Sequence, residues 1–157
     1  MKLSREWLSE FTDIKASDKE YCDAMTLSGS KVEGWEILGS EISGVVAGKV
    51  LEIVRHENSD HMWICTIDVG KNAPITIVTG AQNVKAGDII PVAVDGAKLP
   101  GGIEIRTGAL RGVESQGMLC SLKELGLTTS DYPYAIEDGI FIMKEPCKLG
   151  DDIKAVL

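Results

Sequence analysis

The amino-acid sequence predicts an α+β fold in which a small five-stranded β-barrel is inserted in part of a small α+β domain. Apolar and polar residues alternate, as in half-buried strands, in five short segments between residues 42 and 106. Glycine-rich turns separate these segments. The residues before them have instead the apolar spacing and capping residues typical of helices.

Two helices are predicted at the start of the chain. Ser4 is placed to cap the first. Ser17 and Glu20 have the spacing of a capping box, which predicts the start of the second helix, and Gly29 is placed to end it. Residues 30–38 are then predicted to form a strand.

The barrel strands come next, with predicted bounds of 44–55, 62–69, 75–79, 90–94 and 103–106. Turns at Asp95-Gly96 and at 100–102 are predicted to separate the last two. Because closing such a set removes its exposed edges, the five-stranded Greek-key barrel called the OB fold is the economical arrangement. A strand at Ile140–Met143 and a helix that starts near Asp151 or Asp152 are predicted to follow.

These elements predict two domains. Residues 42–144 form the barrel domain, and residues 1–41 form an α+β segment that residues 145–157 complete, in truncated form. The sequence ends within the last predicted helix, which favours a longer parent protein.

The charge distribution is unusual for a nucleic-acid binder. The net charge is −8, but residues 42–123 carry 8 basic and 8 acidic side chains, so the acidity lies in the flanks. A strong, independent binder of nucleic acid has a basic footprint, which is missing.

No apolar run approaches the roughly 18 residues of a membrane helix, and the first residues lack the apolar core of a secretory signal. We therefore expect a cytoplasmic protein without membrane contact.

No catalytic or metal-binding pattern is evident. The sequence has no phosphate-binding GxxxxGK[ST] loop and no nucleophile–base pairing. The four cysteines lack metal-ligand spacing and are expected to be buried, inert thiols. His56 and Asp60 lie four residues apart in a turn-rich loop without a third ligand, so side chains of Asn58 and Asp60 are expected to fix the turn instead. A binding role is therefore predicted.

Three segments carry a resemblance to a known family. They read HENSDHM at 56–62, GAQNVKAGDIIPVAVDGAKLPGG at 80–102 and RGVESQGMLCSLKELGL at 111–127. In this order they resemble the tRNA-binding OB module of several aminoacyl-tRNA synthetases. The third segment and the opening residues resemble the β subunit of bacterial phenylalanine–tRNA ligase. The first segment departs from the family's His-Pro-Asn-Ala-Asp-Lys-Leu, with Glu57 replacing proline and His61 replacing lysine.

The resemblance implies a non-catalytic N-terminal fragment of that subunit, which supports aminoacylation of tRNA(Phe). Its partners would be tRNA, bound weakly in isolation, the catalytic α subunit and the remaining β-subunit domains, commonly as an α2β2 assembly. ATP and magnesium would serve the α subunit, with no cofactor in this fragment. Hydrolysis of mischarged tyrosyl-tRNA would belong to later β-subunit domains.

Ser115 and Met118 lie in the Ser-x-Gly-Met stretch that, in the tRNA-binding modules, is associated with the RNA groove. A hydroxyl beside an adaptable thioether suits sugar, phosphate and base contacts. The alternative is a tight connection in which Met118, Leu119 and Cys120 fill the end of the barrel.

The basic residues best placed to meet an RNA backbone are Lys49, Lys98, Arg106 and Arg111. OB folds bind single strands with a basic groove and stacking aromatic rings. Trp63 is the only aromatic residue in 42–131, and its alternation with apolar neighbours predicts a core position. The alternative for the four cations is a solvated face.

Two other functions remain open at this stage. One is a free-standing, dimeric tRNA-binding protein. The other is a protein-docking module without RNA contact, which the neutral barrel and the acidic flanks favour.

Overall fold

The computed structural model describes residues 1–157 and separates into two compact units, Met1–Ile37 and Leu38–Leu157. The secondary structure comprises three α-helices, a short 3-10 helix and eight strands. No helix has the length and apolar character needed to cross a bilayer.

The first unit contains the two predicted helices, α1 (Arg5–Ser9) and α2 (Asp18–Leu27). The Ser17 side chain accepts the Glu20 N–H while the Glu20 carboxylate accepts the Ser17 N–H, so the predicted capping box is confirmed. The strand predicted at residues 30–38 is wrong, since no strand occurs there. A strand needs a hydrogen-bonded neighbour, and none runs beside this segment.

The second unit contains all the strands, which are β1 (Ser43–Arg55), β2 (Trp63–Asp68), β3 (Ile75–Thr79), β4 (Ile89–Leu99), β5 (Ile103–Glu104), β6 (Gly108–Leu110), β7 (Val113–Ser115) and β8 (Gly117–Leu119). The 3-10 helix spans Lys123–Leu125, and α3 spans Ile153–Val156.

The strands form a nearly closed antiparallel barrel. In the main sheet β3, β2, β1 and β4 are neighbours in that order, and β8 pairs with the other side of β4. The ring is completed beside β3, where the Gln116 N–H donates to the Thr76 carbonyl at 2.8 Å and the Gln116 side-chain oxygen accepts the Thr76 N–H at 3.0 Å. The predicted α+β fold with an OB-type barrel is confirmed.

The predicted turn at Asp95-Gly96 is wrong, because β4 continues through it to Leu99. The register between β1 and β4 shifts there, and a Cβ on Gly44 would lie 2.9 Å from the Ala97 Cα. A bulge therefore bends the strand where a turn was expected.

The strand predicted at Ile140–Met143 is not a regular strand either. The segment makes only isolated backbone bonds, in which the Phe141 N–H donates to Cys120 and the Met143 N–H to Ile89.

Apolar residues form two cores, one on each face of the β1–β4 sheet. The core inside the barrel includes Val50, Cys65 and Ile77, whereas Val45 and Ala47 belong to a second core on the outer face. Side chains of one strand alternate between faces, so a strand buried on both faces contributes to both cores.

Trp63 lies at the edge of the inner core. It is only partly buried, and its indole N–H donates to the Gln82 side-chain oxygen at 3.1 Å. The predicted core position therefore holds in part: the ring packs on the inner core but keeps an exposed edge.

The last residues pack on the outer face of the barrel. The Ala47 N–H donates to the Asp151 carbonyl at 2.9 Å, and Ile153 is buried in the outer core. Asp152 caps α3 by accepting the Lys154 N–H at 2.9 Å, which confirms the predicted helix start. That residues 145–157 complete a domain begun by residues 1–41 stays a prediction.

Candidate nucleic-acid interface

The loop between β1 and β2, residues 56–62, is organised by a buried histidine. His56 is 2% exposed, and its ring Nδ1 accepts the Asn58 N–H at 3.1 Å. Its Nε2 lies 3.2 Å from the Leu110 carbonyl oxygen. Because a carbonyl only accepts, Nε2 carries the proton in this bond, and Nδ1 is the acceptor. We call residues 56–62 the first loop.

A second loop, residues 100–116, joins β4 to β8 and contains the β6–β7 hairpin. The hairpin turn has a φ of 50° at Arg111 and 86° at Gly112. Left-handed conformations at both central residues are typical of the tight type I′ turn. The Arg111 guanidinium donates to the Asn58 carbonyl at 3.2 Å, so the tip of the hairpin contacts the first loop.

A carboxylate fixes the start of this hairpin. The Thr107 N–H donates to the Asp95 carboxylate at 2.6 Å, and this bond holds the pKa of Asp95 below its ordinary value. The connection from β5 into β6 is therefore tied to β4.

The first loop leads into β2, and the end of the second loop is bonded to β3 through Ser115 and Gln116. Oligonucleotides bind OB folds on the outer face of these two strands and on the loops that correspond to these two. On this face lie the cross-strand pairs Ile64–Val78 and Thr66–Thr76. Their side chains point to the opposite side of the sheet from the buried side chain of Cys65. The face is therefore aliphatic and hydroxylic, without an aromatic ring for base stacking.

The predicted cations are scattered around the barrel. Lys49 is exposed on β1 and is the register partner of Asp68 on β2. Lys98 is exposed on β4. Arg106 is exposed in the second loop and pairs with Glu104 at 2.6 Å. Of the four predicted cations, only Arg111 makes a hydrogen bond to the first loop.

The predicted pair Ser115 and Met118 is largely internal. Ser115 is 5% exposed, and its hydroxyl accepts the Val78 N–H at 3.1 Å and donates to the Gly117 carbonyl at 3.0 Å. Met118 is partly buried and packs on the outer core. Leu119 is buried in the inner core and Cys120 in the outer core, so of the three residues expected to fill the end of the barrel only Leu119 faces inwards.

The barrel matches a known protein family. A family model described as a putative tRNA binding domain covers residues 45–151, which include every barrel strand except the first two residues of β1. The chain belongs to this family.

Relatives of this tRNA-binding domain extend over the whole chain. This chain is 48% identical to the phenylalanine–tRNA ligase β subunit of Clostridium acetobutylicum over 157 residues, which are 100% of this chain and 19% of that protein. The Clostridium tetani β subunit is 46% identical over the same shares of each chain. The chain thus spans about a fifth of the length of these relatives, and the resemblance deduced from the sequence is confirmed.

A solved structure, the methionyl-tRNA-synthetase-related protein from Pyrococcus horikoshii, is 23% identical, with a TM-score of 0.45. The match covers 68% of this chain and 84% of that one.

Sequence reasoning missed the role of His56 in this tRNA-binding domain. The turn was expected to depend on side chains of Asn58 and Asp60, but the structure uses the His56 ring and the Ser59 hydroxyl, which accepts the His61 N–H at 3.3 Å. A histidine two residues before a turn amide is a weak signal on its own. The hydrogen bond to Leu110, 54 residues away, has no local sequence signature.

Local pairing also distinguishes the cations of the domain. Arg55 and Arg111 donate to backbone carbonyls of the first loop, and Arg106 pairs with a carboxylate. The five lysines of residues 42–123 form no ion pair. These lysines are Lys49, Lys71, Lys85, Lys98 and Lys123. No group of three or more His, Cys, Asp or Glu side chains is placed to hold a metal ion.

Proposed function

We propose that this chain is the accessory tRNA-binding and assembly region of a bacterial phenylalanine–tRNA ligase β subunit. It would support aminoacylation of tRNA(Phe) without taking part in the chemistry. The observation that carries the proposal is the 48% identity over the entire chain, together with a tRNA-binding family match over residues 45–151.

The proposal also includes the other parts of the ligase. The catalytic α subunit would use ATP and magnesium, and the remaining β-subunit domains would complete a cytoplasmic α2β2 enzyme. Residues 1–41 and 145–157 would form two parts of a neighbouring domain in that assembly. The chain's share of its relatives, 19%, leaves room for these further domains.

The proposed contacts divide into two kinds. Lys49 and Arg106 would meet phosphate, the first with a free charge and the second in exchange for its Glu104 partner. Arg111, Ser115 and Met118 would act through the shape they give to the second loop. Ser115 supports this division because its hydroxyl is already bonded on both sides inside the barrel.

Affinity is expected to be low in the isolated chain. Each phosphate contact releases counterions and adds about 0.9 to the slope of log affinity against log salt on a duplex. Residues 42–123 have equal numbers of basic and acidic side chains, so few such contacts are available. In the whole enzyme, other contacts would raise the local concentration of tRNA and make a weak surface effective.

A titration of labelled tRNA with the chain at about 50 mM and about 200 mM salt tests the proposal. We expect a Kd of about 10⁻⁴–10⁻⁶ M that weakens as salt rises. Sub-micromolar binding that ignores salt would contradict the electrostatic argument. Absence of binding at the lower salt would contradict the tRNA-binding role.

A protein-docking role without RNA is the second candidate. The net charge of −8 and the aliphatic Ile64–Val78 pair on the β2–β3 face favour it, since neither feature attracts a polyanion. This candidate predicts no tRNA binding at low salt, together with binding to the other subunits of the ligase.

A further inference from the structure

Two long-range hydrogen bonds fasten the second loop to the first. His56 donates to the Leu110 carbonyl at 3.2 Å, and Arg111 donates to the Asn58 carbonyl at 3.2 Å. These bonds join residues 54 and 53 positions apart in the chain. Because both acceptors are backbone carbonyls, the bonds fix the paths of the two loops.

The tip of the β6–β7 hairpin depends on these bonds for its position, because the other bonds, Thr107 to Asp95 and Val78 to Ser115, hold only the base of the hairpin. Its two strands pair only with each other and form a separate two-stranded sheet. All residues from Gly108 to Gly112 are exposed, so the tip of the hairpin buries no side chain of its own. A two-stranded ribbon without such support is marginally stable and mobile.

The conformation of Arg111 points to a use for its side chain. It is the one non-glycine residue with a positive φ, at 50°. Glycine or asparagine adopts this conformation at lower cost, and arginine seldom occurs there. A residue kept in a disfavoured backbone conformation is a candidate for a functional constraint. The guanidinium bond to Asn58 supplies that constraint.

We propose that His56 and Arg111 are positioning residues that hold the first and second loops together as one preformed surface for tRNA. The inference rests on the proposed tRNA-binding function and adds the way in which the surface is built. The single N–H donor of the His56 ring is used on the Leu110 carbonyl, so His56 has no donor left for phosphate. The Arg111 guanidinium uses one of its five donors on the Asn58 carbonyl, and this bond is the basis for assigning it to positioning. Holding the loops in place before binding reduces the ordering cost that association would otherwise incur.

Substitutions at His56 separate its two bonds. In His56→Asn the amide oxygen takes the place of Nδ1, which keeps the acceptor for Asn58 and removes the donor to Leu110. In His56→Gln the amide nitrogen reaches the position of Nε2 and restores that donor. Ser43→Ala is the control, since Ser43 is exposed on β1 outside both loops and its hydroxyl makes no hydrogen bond.

Hydrogen–deuterium exchange of residues 105–116 and tRNA affinity are measured on the full chain for each variant. We expect His56→Asn to speed exchange in the hairpin and to weaken tRNA binding about tenfold, which corresponds to about 1.4 kcal/mol. His56→Gln restores both properties towards the original values. Ser43→Ala leaves both unchanged.

The salt dependence of Arg111→Ala distinguishes positioning from phosphate contact. A positioning role predicts weaker binding with an unchanged salt slope, whereas a lost phosphate contact lowers the slope by about 0.9. A lowered slope, or faster hairpin exchange in His56→Asn with unchanged tRNA affinity, would overturn the inference and leave the proposed function intact. Failure of the unsubstituted chain to bind tRNA would instead refute the proposed function, and the inference with it.

Discussion

The hydroxyl of Ser115 accepts the backbone N–H of Val78 at 3.1 Å, on the side of the barrel where β3 approaches the end of the second loop. Neighbouring strands in a sheet are normally joined by backbone bonds, but this link uses a side chain. The same hydroxyl donates to the Gly117 carbonyl at 3.0 Å, so one side chain connects β3 with the start of β8. Besides the Gln116–Thr76 bonds, closure of the barrel therefore uses Ser115, a residue that the sequence predicted for RNA contact.

Ser115→Ala should lower the free energy of unfolding by about 1–3 kcal/mol, because it leaves the buried Val78 N–H without an acceptor. Chemical denaturation followed by circular dichroism measures this change. Ser43→Ala is the matched control, since Ser43 is exposed on β1 and its hydroxyl makes no hydrogen bond. Equal stability of the two variants would contradict the closure role of Ser115.

Gly117→Ala should destabilise the barrel by about 1–3 kcal/mol through overpacking. A Cβ at this position would lie 2.4 Å from the Ala93 carbonyl oxygen, and backbone on a paired strand cannot move aside cheaply. Gly108→Ala is the control, because nothing lies within 4 Å of a Cβ there. Thermal melting of both variants measures the difference, and a Gly117→Ala protein as stable as the control would show that β8 is loosely held.

The strands of the barrel could be predicted from sequence because alternation is a local signal. Trp63, Cys65 and Ile67 alternate with polar or outward-facing residues, and β2 follows their bounds closely. Residues 30–38 show that the same signal fails when no neighbour is available for pairing. The capping box at Ser17 succeeded because all its partners lie within four residues.

The loops could not be predicted in the same way. The β6–β7 hairpin turns at Arg111-Gly112, where a left-handed arginine replaces the usual asparagine or glycine and hides the turn signal. The contacts of His56 with Leu110 and of Arg111 with Asn58 join segments more than 50 residues apart. Such contacts follow from how the barrel closes, and spacing along the chain does not reveal them.

Cys65 and Cys120 should resist thiol reagents in the folded protein. Burial raises the pKa of Cys65 to about 11 and that of Cys120 to about 12, so the reactive thiolate is scarce at pH 8. Both should react only after unfolding, which a timed reaction with a chromogenic disulfide measures with and without denaturant. Rapid reaction at either residue in native conditions, identified by peptide mapping, would contradict their burial.

Ionisation of Cys65 and Cys120 is expected to lower the stability of the folded protein at alkaline pH. Their pKa values in the folded protein lie above the ordinary value of 9.0, so the folded state binds these protons more tightly than the unfolded chain does. Their contribution to stability is complete below pH 9 and is lost as pH rises from 9 towards 12. A Cys65→Ala, Cys120→Ala double variant should show a smaller decline over this range in urea denaturation, and an identical decline would refute the assignment.

Lys49 and Arg106 should affect tRNA binding unequally. Lys49 has no ion-pair partner, whereas Arg106 must exchange its Glu104 carboxylate for phosphate and gains less by doing so. Lys49→Ala should therefore lower the salt slope by about 0.9, and Arg106→Ala should lower it by less. Lys71→Ala is the matched control, because Lys71 is a free, exposed lysine in the β2–β3 turn outside the candidate contacts. Fluorescence anisotropy of labelled tRNA at several salt concentrations gives each slope. Equal slopes for the Lys49 and Lys71 variants would contradict a defined phosphate contact at Lys49.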